Sequence, residues 1–161
     1  MGVLAVALLA AGTAAGPLAE RVVGTWTLVS YEARHADGRV VPVYGPSPVG
    51  RLVYDARGRM SVHIADPRRP RFASPDRLLA TDAEVRAAFD GYFGYFGTYD
   101  VDEKAGTMTH HVEGAAFPNY AGTDQTRQLT VEGDRLELAT PPIARAGERA
   151  TFHVVWRRDR D

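Results

Sequence analysis

Val22-Val23-Gly24-Thr25-Trp26-Thr27-Leu28-Val29-Ser30-Tyr31-Glu32 is the stretch on which the reading of the fold turns. Val, Thr, Trp, Leu and Tyr favour a pleated, half-buried surface. Strict alternation places Trp26, Leu28 and Ser30 on one face and Thr25, Thr27, Val29 and Tyr31 on the other. The run reads as the first strand of a barrel, with Trp26 turned inward to plug one end of a small closed sheet.

Downstream, short β-rich segments follow at regular spacing. Arg39-Val40-Val41-Pro42-Val43 is a short edge segment limited by its proline. Gly50 to Tyr54 and Arg59 to Ile64 flank Asp55-Ala56-Arg57-Gly58 as a hairpin, with Tyr54, Met60, Val62 and Ile64 inward and Ser61 and His63 on the opposite face. The loop Asp66 to Asp76 holds three prolines and Arg68, Arg69 and Arg71; it could cover a barrel mouth, although local acids are the simpler partners for its arginines. Thr81-Asp82-Ala83-Glu84 is a capping box that opens a helix over about residues 82–93, in which Val85, Phe89, Phe93 and Phe96 form a stripe able to seal against the barrel. A strand then runs to about Val101, with Tyr95, Gly97, Tyr99 and Val101 in one phase. Thr107 to Glu113 pairs back across a turn, and three more strands lie at Gln125 to Val131, Arg135 to Ala139 and Thr151 to Arg157. The result is an all-β chain, an antiparallel barrel of about eight to ten strands with one short helix packed against it.

At 161 residues the chain is one domain, large enough for a core and an internal cavity. Nineteen basic and 20 acidic residues leave a net charge of −1. No basic face or aromatic-basic motif points to nucleic acid. All the basic residues except Lys104 are Arg, and Lys104 lies in a solvated turn, so Schiff-base chemistry has no suitable candidate. The absence of Cys removes disulfides, thiol nucleophiles and Cys-ligated metals. Val3 to Ala11 is an apolar run of signal-peptide length followed by small residues up to Ala15, too short for a transmembrane span; residues 1–17 therefore read as an export signal or an N-terminal extension, and 18–161 as the barrel domain. Export would place the protein in the periplasm or outside the cell, and an uncleaved extension would leave it in the cytoplasm.

An ordered set of motifs resembles the bacterial and fungal lipocalin-like domain family: Gly24-Thr25-Trp26, Asp37-Gly38-Arg39, Gly45-Pro46, Gly50-Arg51-Leu52-Val53-Tyr54, Pro70-Arg71-Phe72, Phe96-Gly97-Thr98-Tyr99, Thr109-His110-His111-Val112-Glu113-Gly114, Phe117-Pro118-Asn119, Gly122-Thr123-Asp124-Gln125 and Val155-Trp156-Arg157-Arg158. The match runs from about Leu18 to Arg158. It implies the barrel, and it implies that Arg157 or Arg158 on the last strand covers Trp26 as a cation–π closure, with Arg157 taken as the structural residue. It says much less about activity, since one barrel hosts many functions.

The candidate chemistry centres on Thr109-His110-His111-Val112-Glu113. Adjacent strand residues point to opposite faces, so one of His110 and His111 is inside. If it is His111, Glu113 comes with it as an acid/base-capable pair, and these two are the catalytic candidates. If it is His110, its neighbours are Met108 and Val112 and the pocket is mostly apolar. Tyr54, Tyr95 and Tyr99 suit a cavity that binds a ring system, and Asn119 sits in a loop at the expected mouth. With His63, His110, His111 and Glu113 these make the ligand-binding set. No metal spacing, nucleophile elbow or phosphate loop is present, and no cofactor is expected. Three functions remain open: a carrier holding a small hydrophobic molecule in the barrel, a cofactor-independent cyclase or isomerase acting on a natural-product intermediate, and a structural or envelope-associated interaction protein whose barrel is filled. An inward His–Glu pair favours the second and an apolar lining the first.

Overall fold

The computed structural model describes residues 16–145 and 147–160; the apolar run of residues 1–15 lies outside them. Ten antiparallel strands follow in chain order: β1 Gly24–His35, β2 Val40–Pro42, β3 Val49–Tyr54, β4 Arg59–Ala65, β5 Tyr92–Asp102, β6 Thr107–Ala115, β7 Asp124–Glu132, β8 Arg135–Ala139, β9 Ile143–Arg145 and β10 Glu148–Arg158. A short helix α1, Leu18–Val22, precedes them, and α2, Asp82–Asp90, sits between β4 and β5. None of the described helices is long and apolar enough to cross a membrane.

Each strand pairs with the next in space, and β1 pairs with both β3 and β10, which closes an eight-stranded barrel of β1, β3 to β8 and β10. The strands β2 and β9 are additions. Glu32 to Arg34 of β1 pair with β10 on one edge and with β2 on the other, and Glu148 to Ala150 of β10 carry β9, so the two short strands prolong the wall beyond the ends of β3 and β8.

The barrel has a floor and a mouth. Trp26, fully buried, hydrogen-bonds through Nε1 to the Val22 carbonyl at 2.8 Å, and the Arg158 guanidinium lies 4.1 Å from the Trp26 ring centroid. Arg158 also donates to the Val23 carbonyl at 2.7 Å and to that of Arg21, tying α1 across the end of the barrel. The closing residue is therefore Arg158; Arg157, one position earlier on β10, points outward and is exposed.

Two expectations from alternation and helical spacing are corrected. The pairing of β1 with β10 slips between Leu28 and Ser30, a β-bulge that reverses the phase, so that Leu28, Tyr31 and Ala33 are buried. Tyr31 therefore points in, while Val29 faces solvent. The helix α2 begins at the expected capping box, with Thr81 and Glu84 bonded reciprocally, but ends at Asp90 instead of about 93. Phe93 belongs to β5, and Val85 and Phe89 remain 52 % and 46 % exposed, so α2 has no sealed apolar stripe. Phe96, 54 % exposed, faces away from the barrel interior.

Candidate functional site

Above the floor the barrel encloses a cavity of about 380 Å³. Its wall is largely aromatic. Tyr31 meets Tyr44 edge-on with ring centroids 5.6 Å apart and lies 6.1 Å from Phe152; Phe93 meets Tyr95 at 5.4 Å and Tyr120 at 6.2 Å. Leu52, Val62, Ile64 and Trp156 complete the inner surface. At the mouth, Arg145 of β9 donates to the Tyr31 hydroxyl at 3.1 Å, with its guanidinium 5.8 Å from the Tyr44 ring and 5.7 Å from that of Phe152. One cation thereby links β9 to the segment before β3.

Of the two adjacent histidines, His110 is inside, 1 % exposed. Its Nε2 lies 2.6 Å from the Tyr54 hydroxyl and its Nδ1 2.6 Å from the Tyr95 hydroxyl. Burial pulls its pKa down to about 3, with the nearby positive charge of Arg127 adding to the effect, so the ring is neutral. Burial also raises Tyr95 to about 12 and Tyr54 well above the usual phenol value. All three groups are uncharged hydrogen-bonding groups at neutral pH.

The remaining predicted site residues divide clearly. Tyr95 and His110 line the cavity. Tyr54 is buried behind them, reaching the cavity only through His110, and Tyr99 packs on Tyr54 at 4.6 Å and donates to the Asp55 carbonyl at 2.9 Å. His111 is on the outer face between Asp124, 2.7 Å from Nδ1, and Asp100, 2.8 Å from Nε2; these carboxylates raise its pKa. Glu113, in the same phase, is exposed, so the two catalytic candidates do not meet in the cavity. His63 also faces outward, bonded through Nδ1 to the Tyr92 hydroxyl at 2.5 Å. Asn119, in a 3-10 turn over Pro118–Tyr120, is exposed, and the inward residue of that turn is Tyr120. Arg68 and Arg69 of the proline-rich loop stay local: Arg68 pairs with Asp66 at 2.7 Å, and Arg69 lies 5.2 Å from the Tyr92 ring centroid.

Sequence reasoning missed Tyr31, Tyr44, Arg127, Arg145 and Trp156. Tyr31 was hidden by the bulge. Trp156 and Arg127 were legible, because Phe152, Val154 and Trp156 alternate on β10 and Gln125, Arg127, Leu129 and Val131 on β7, each set in the inward phase. Arg127 is half-buried, and bonds the Thr126 carbonyl at 2.9 Å and Gln125 Oε1 at 3.2 Å.

The model of the lipocalin-like domain matches residues 23–159. The chain belongs to the lipocalin-like domain family. It is similar to the 4'-hydroxy-3'-methoxypropiophenone carrier protein ppsC of Aspergillus oryzae, 32 % identical over 106 residues that cover 62 % of this chain and 96 % of that protein. Among solved structures, a lipocalin-like protein from Bacteroides uniformis aligns over 86 % of this lipocalin-like chain and 99 % of its own, with 14 % identity and a TM-score of 0.45.

Proposed function

We propose that this lipocalin-like barrel is a carrier for a small aromatic molecule, held between the tyrosine and phenylalanine rings of its cavity. The observation that carries the reading is the cavity itself: about 380 Å³, within the range of small-molecule sites, lined by rings suited to edge-to-face contact with another ring. The similarity to a propiophenone carrier supports the same class of ligand, an aryl ring bearing a short alkyl ketone.

An acid/base pair inside the barrel would favour the cyclase or isomerase reading. His111 and Glu113 lie outside it, and the histidine that is inside is held neutral between two tyrosines. The support therefore leans to binding.

Titration of the purified protein with 4'-hydroxy-3'-methoxypropiophenone and with an apolar fluorophore tests the proposal by intrinsic tryptophan emission and calorimetry. Saturable binding at one site per chain, with mutual displacement of the two ligands, is the expected result. Absence of saturable binding for any aryl ketone or fluorophore would sink it.

A further inference from the structure

Among the described residues the cavity wall holds one hydrogen-bond donor with no acceptor, and a count of protons along a buried triad gives a second. The first is Trp156 Nε1. Trp156 lines the cavity and is 1 % exposed, and its indole N–H is the buried side-chain polar atom left without a partner among the described residues. Trp26 shows the contrast, since its own Nε1 is satisfied by the Val22 carbonyl at 2.8 Å. A buried donor left unmade is costly, but this nitrogen is itself closed off from the cavity space, so it is a cost to the wall and not a group that a ligand reaches.

The second follows from counting protons along Tyr54, His110 and Tyr95. The neutral imidazole has one N–H and one bare nitrogen, and each phenol has one O–H. Two contacts of 2.6 Å join these groups, so three protons serve two bonds and one is left over. If the spare proton were on Tyr54, it would sit in a fully buried hydroxyl that does not border the cavity and has no other partner among the described residues. If it is on Tyr95, it faces the cavity. The second arrangement avoids the stranded donor. It assigns the direction of the chain: Tyr54 O–H donates to His110 Nε2, His110 Nδ1–H donates to the Tyr95 oxygen, and the Tyr95 O–H is offered to the ligand. A phenol that accepts a bond while donating one is a stronger donor, because successive bonds polarise one another.

The rest of the lining has the same sense. Arg127 and Arg145 bring positive charge, neither is in an ion pair among the described residues, and the cavity's carboxylate, Asp90, is paired with Arg86 at 2.7 Å. A ligand entering here meets two cations and a carboxylate that is already paired.

We infer that the cavity is a carbonyl-recognition site, in which the Tyr95 O–H donates to the acceptor oxygen of an aryl ketone or aldehyde, with Tyr54 and His110 as positioning residues that orient the Tyr95 proton. This rests on the carrier reading and deepens it, since it names the functional group that is selected and the donor that selects it.

The test compares propiophenone with n-propylbenzene, which share ring and alkyl chain and differ by the carbonyl. A cavity that binds by apolar burial alone prefers the hydrocarbon, because the ketone must lose its hydration. The expected result is at least tenfold tighter binding of propiophenone, with Tyr95→Phe removing most of that preference. A readout independent of the variant is the carbonyl stretch of ¹³C-labelled propiophenone bound to the unaltered protein, which should fall below its frequency in hexane. Equal or tighter binding of propylbenzene, or a carbonyl stretch as in hexane, would overturn the inference while leaving the carrier reading standing. Tighter binding of benzoate than of propiophenone would also overturn it, by making Arg127 and Arg145 an anion site. Failure of every aryl compound to bind would remove both.

Discussion

His110 and His111 are neighbours in sequence and respond to acid in opposite directions. His110 is neutral in the fold with a pKa of about 3, against an ordinary value of 6.5. Between these limits the unfolded chain takes up a proton that the folded chain refuses, so this residue's contribution to stability is complete above about pH 6.5 and is lost as the pH falls toward 3, at up to about 1.4 kcal/mol per pH unit. Urea denaturation at a series of pH values checks this: in His110→Phe the midpoint should be lower at pH 7 yet less dependent on pH between 4 and 6.5, and slopes identical to the unaltered protein would refute the assignment. His111 has its pKa raised by Asp124 and Asp100, so its contribution is present below about 6.5 and is lost as the pH rises through the raised value. Because that site is on the outer face, its effect should shrink at high salt. Alternation required that one histidine be inside, and the strand phase decided which. What the sequence concealed was the pairing of both ring nitrogens with tyrosines from two other strands, since Tyr54 and Tyr95 lie 56 and 15 positions away from His110.

At the scale of the element, the strands were legible and the irregularities within them were not. Strand β6 and the β3–β4 hairpin follow from period-two alternation and a glycine turn, and they form as expected. Strand β1 does not, because one extra residue after Leu28 turns Tyr31 inward, and a bulge has no composition of its own in Val29-Ser30. The same limit applies to α2, whose capping box marked its start while its end was set by Phe93 joining β5 opposite Ile64. Gly97 marks a second slip in register, between β5 and β6. A Cβ there would lie 2.0 Å from the His111 carbonyl oxygen, a backbone atom that cannot turn aside. Gly97→Ala should therefore destabilise the barrel by at least about 1–3 kcal/mol, the usual cost of overpacking, measured by chemical denaturation. Gly133, in the β7–β8 turn, serves as a control: its added Cβ meets nothing within 4 Å, and only its φ of 57° opposes substitution. The floor allows an opposite test by removal. Trp26→Ala deletes the ring that α1, Val22 and Arg158 enclose, and a loss of about 3–5 kcal/mol is expected. A loss below 1 kcal/mol would mean that the end of the barrel is held by other contacts.

For the molecule as a whole, an occupied cavity stabilises the fold by mass action. At a ligand concentration one hundred times its dissociation constant the gain is about 2.7 kcal/mol, which for a chain of this size corresponds to a rise in Tm of roughly 5–10 °C. No shift at saturating aryl ketone would contradict binding inside the barrel. Arg145 reaches across the mouth from β9 to Tyr31, Tyr44 and Phe152, so Arg145→Ala should speed ligand entry and exit together by severalfold in stopped-flow traces, with a smaller change in affinity. The floor closed by Trp26, Arg158 and α1 has a kinetic counterpart. Such a vessel is a cul-de-sac: a second molecule cannot drive out the first from behind, and the occupant must leave by the opening through which its successor enters. Exchange is then strictly sequential. In a chase experiment the release rate stays the same however much competitor is added.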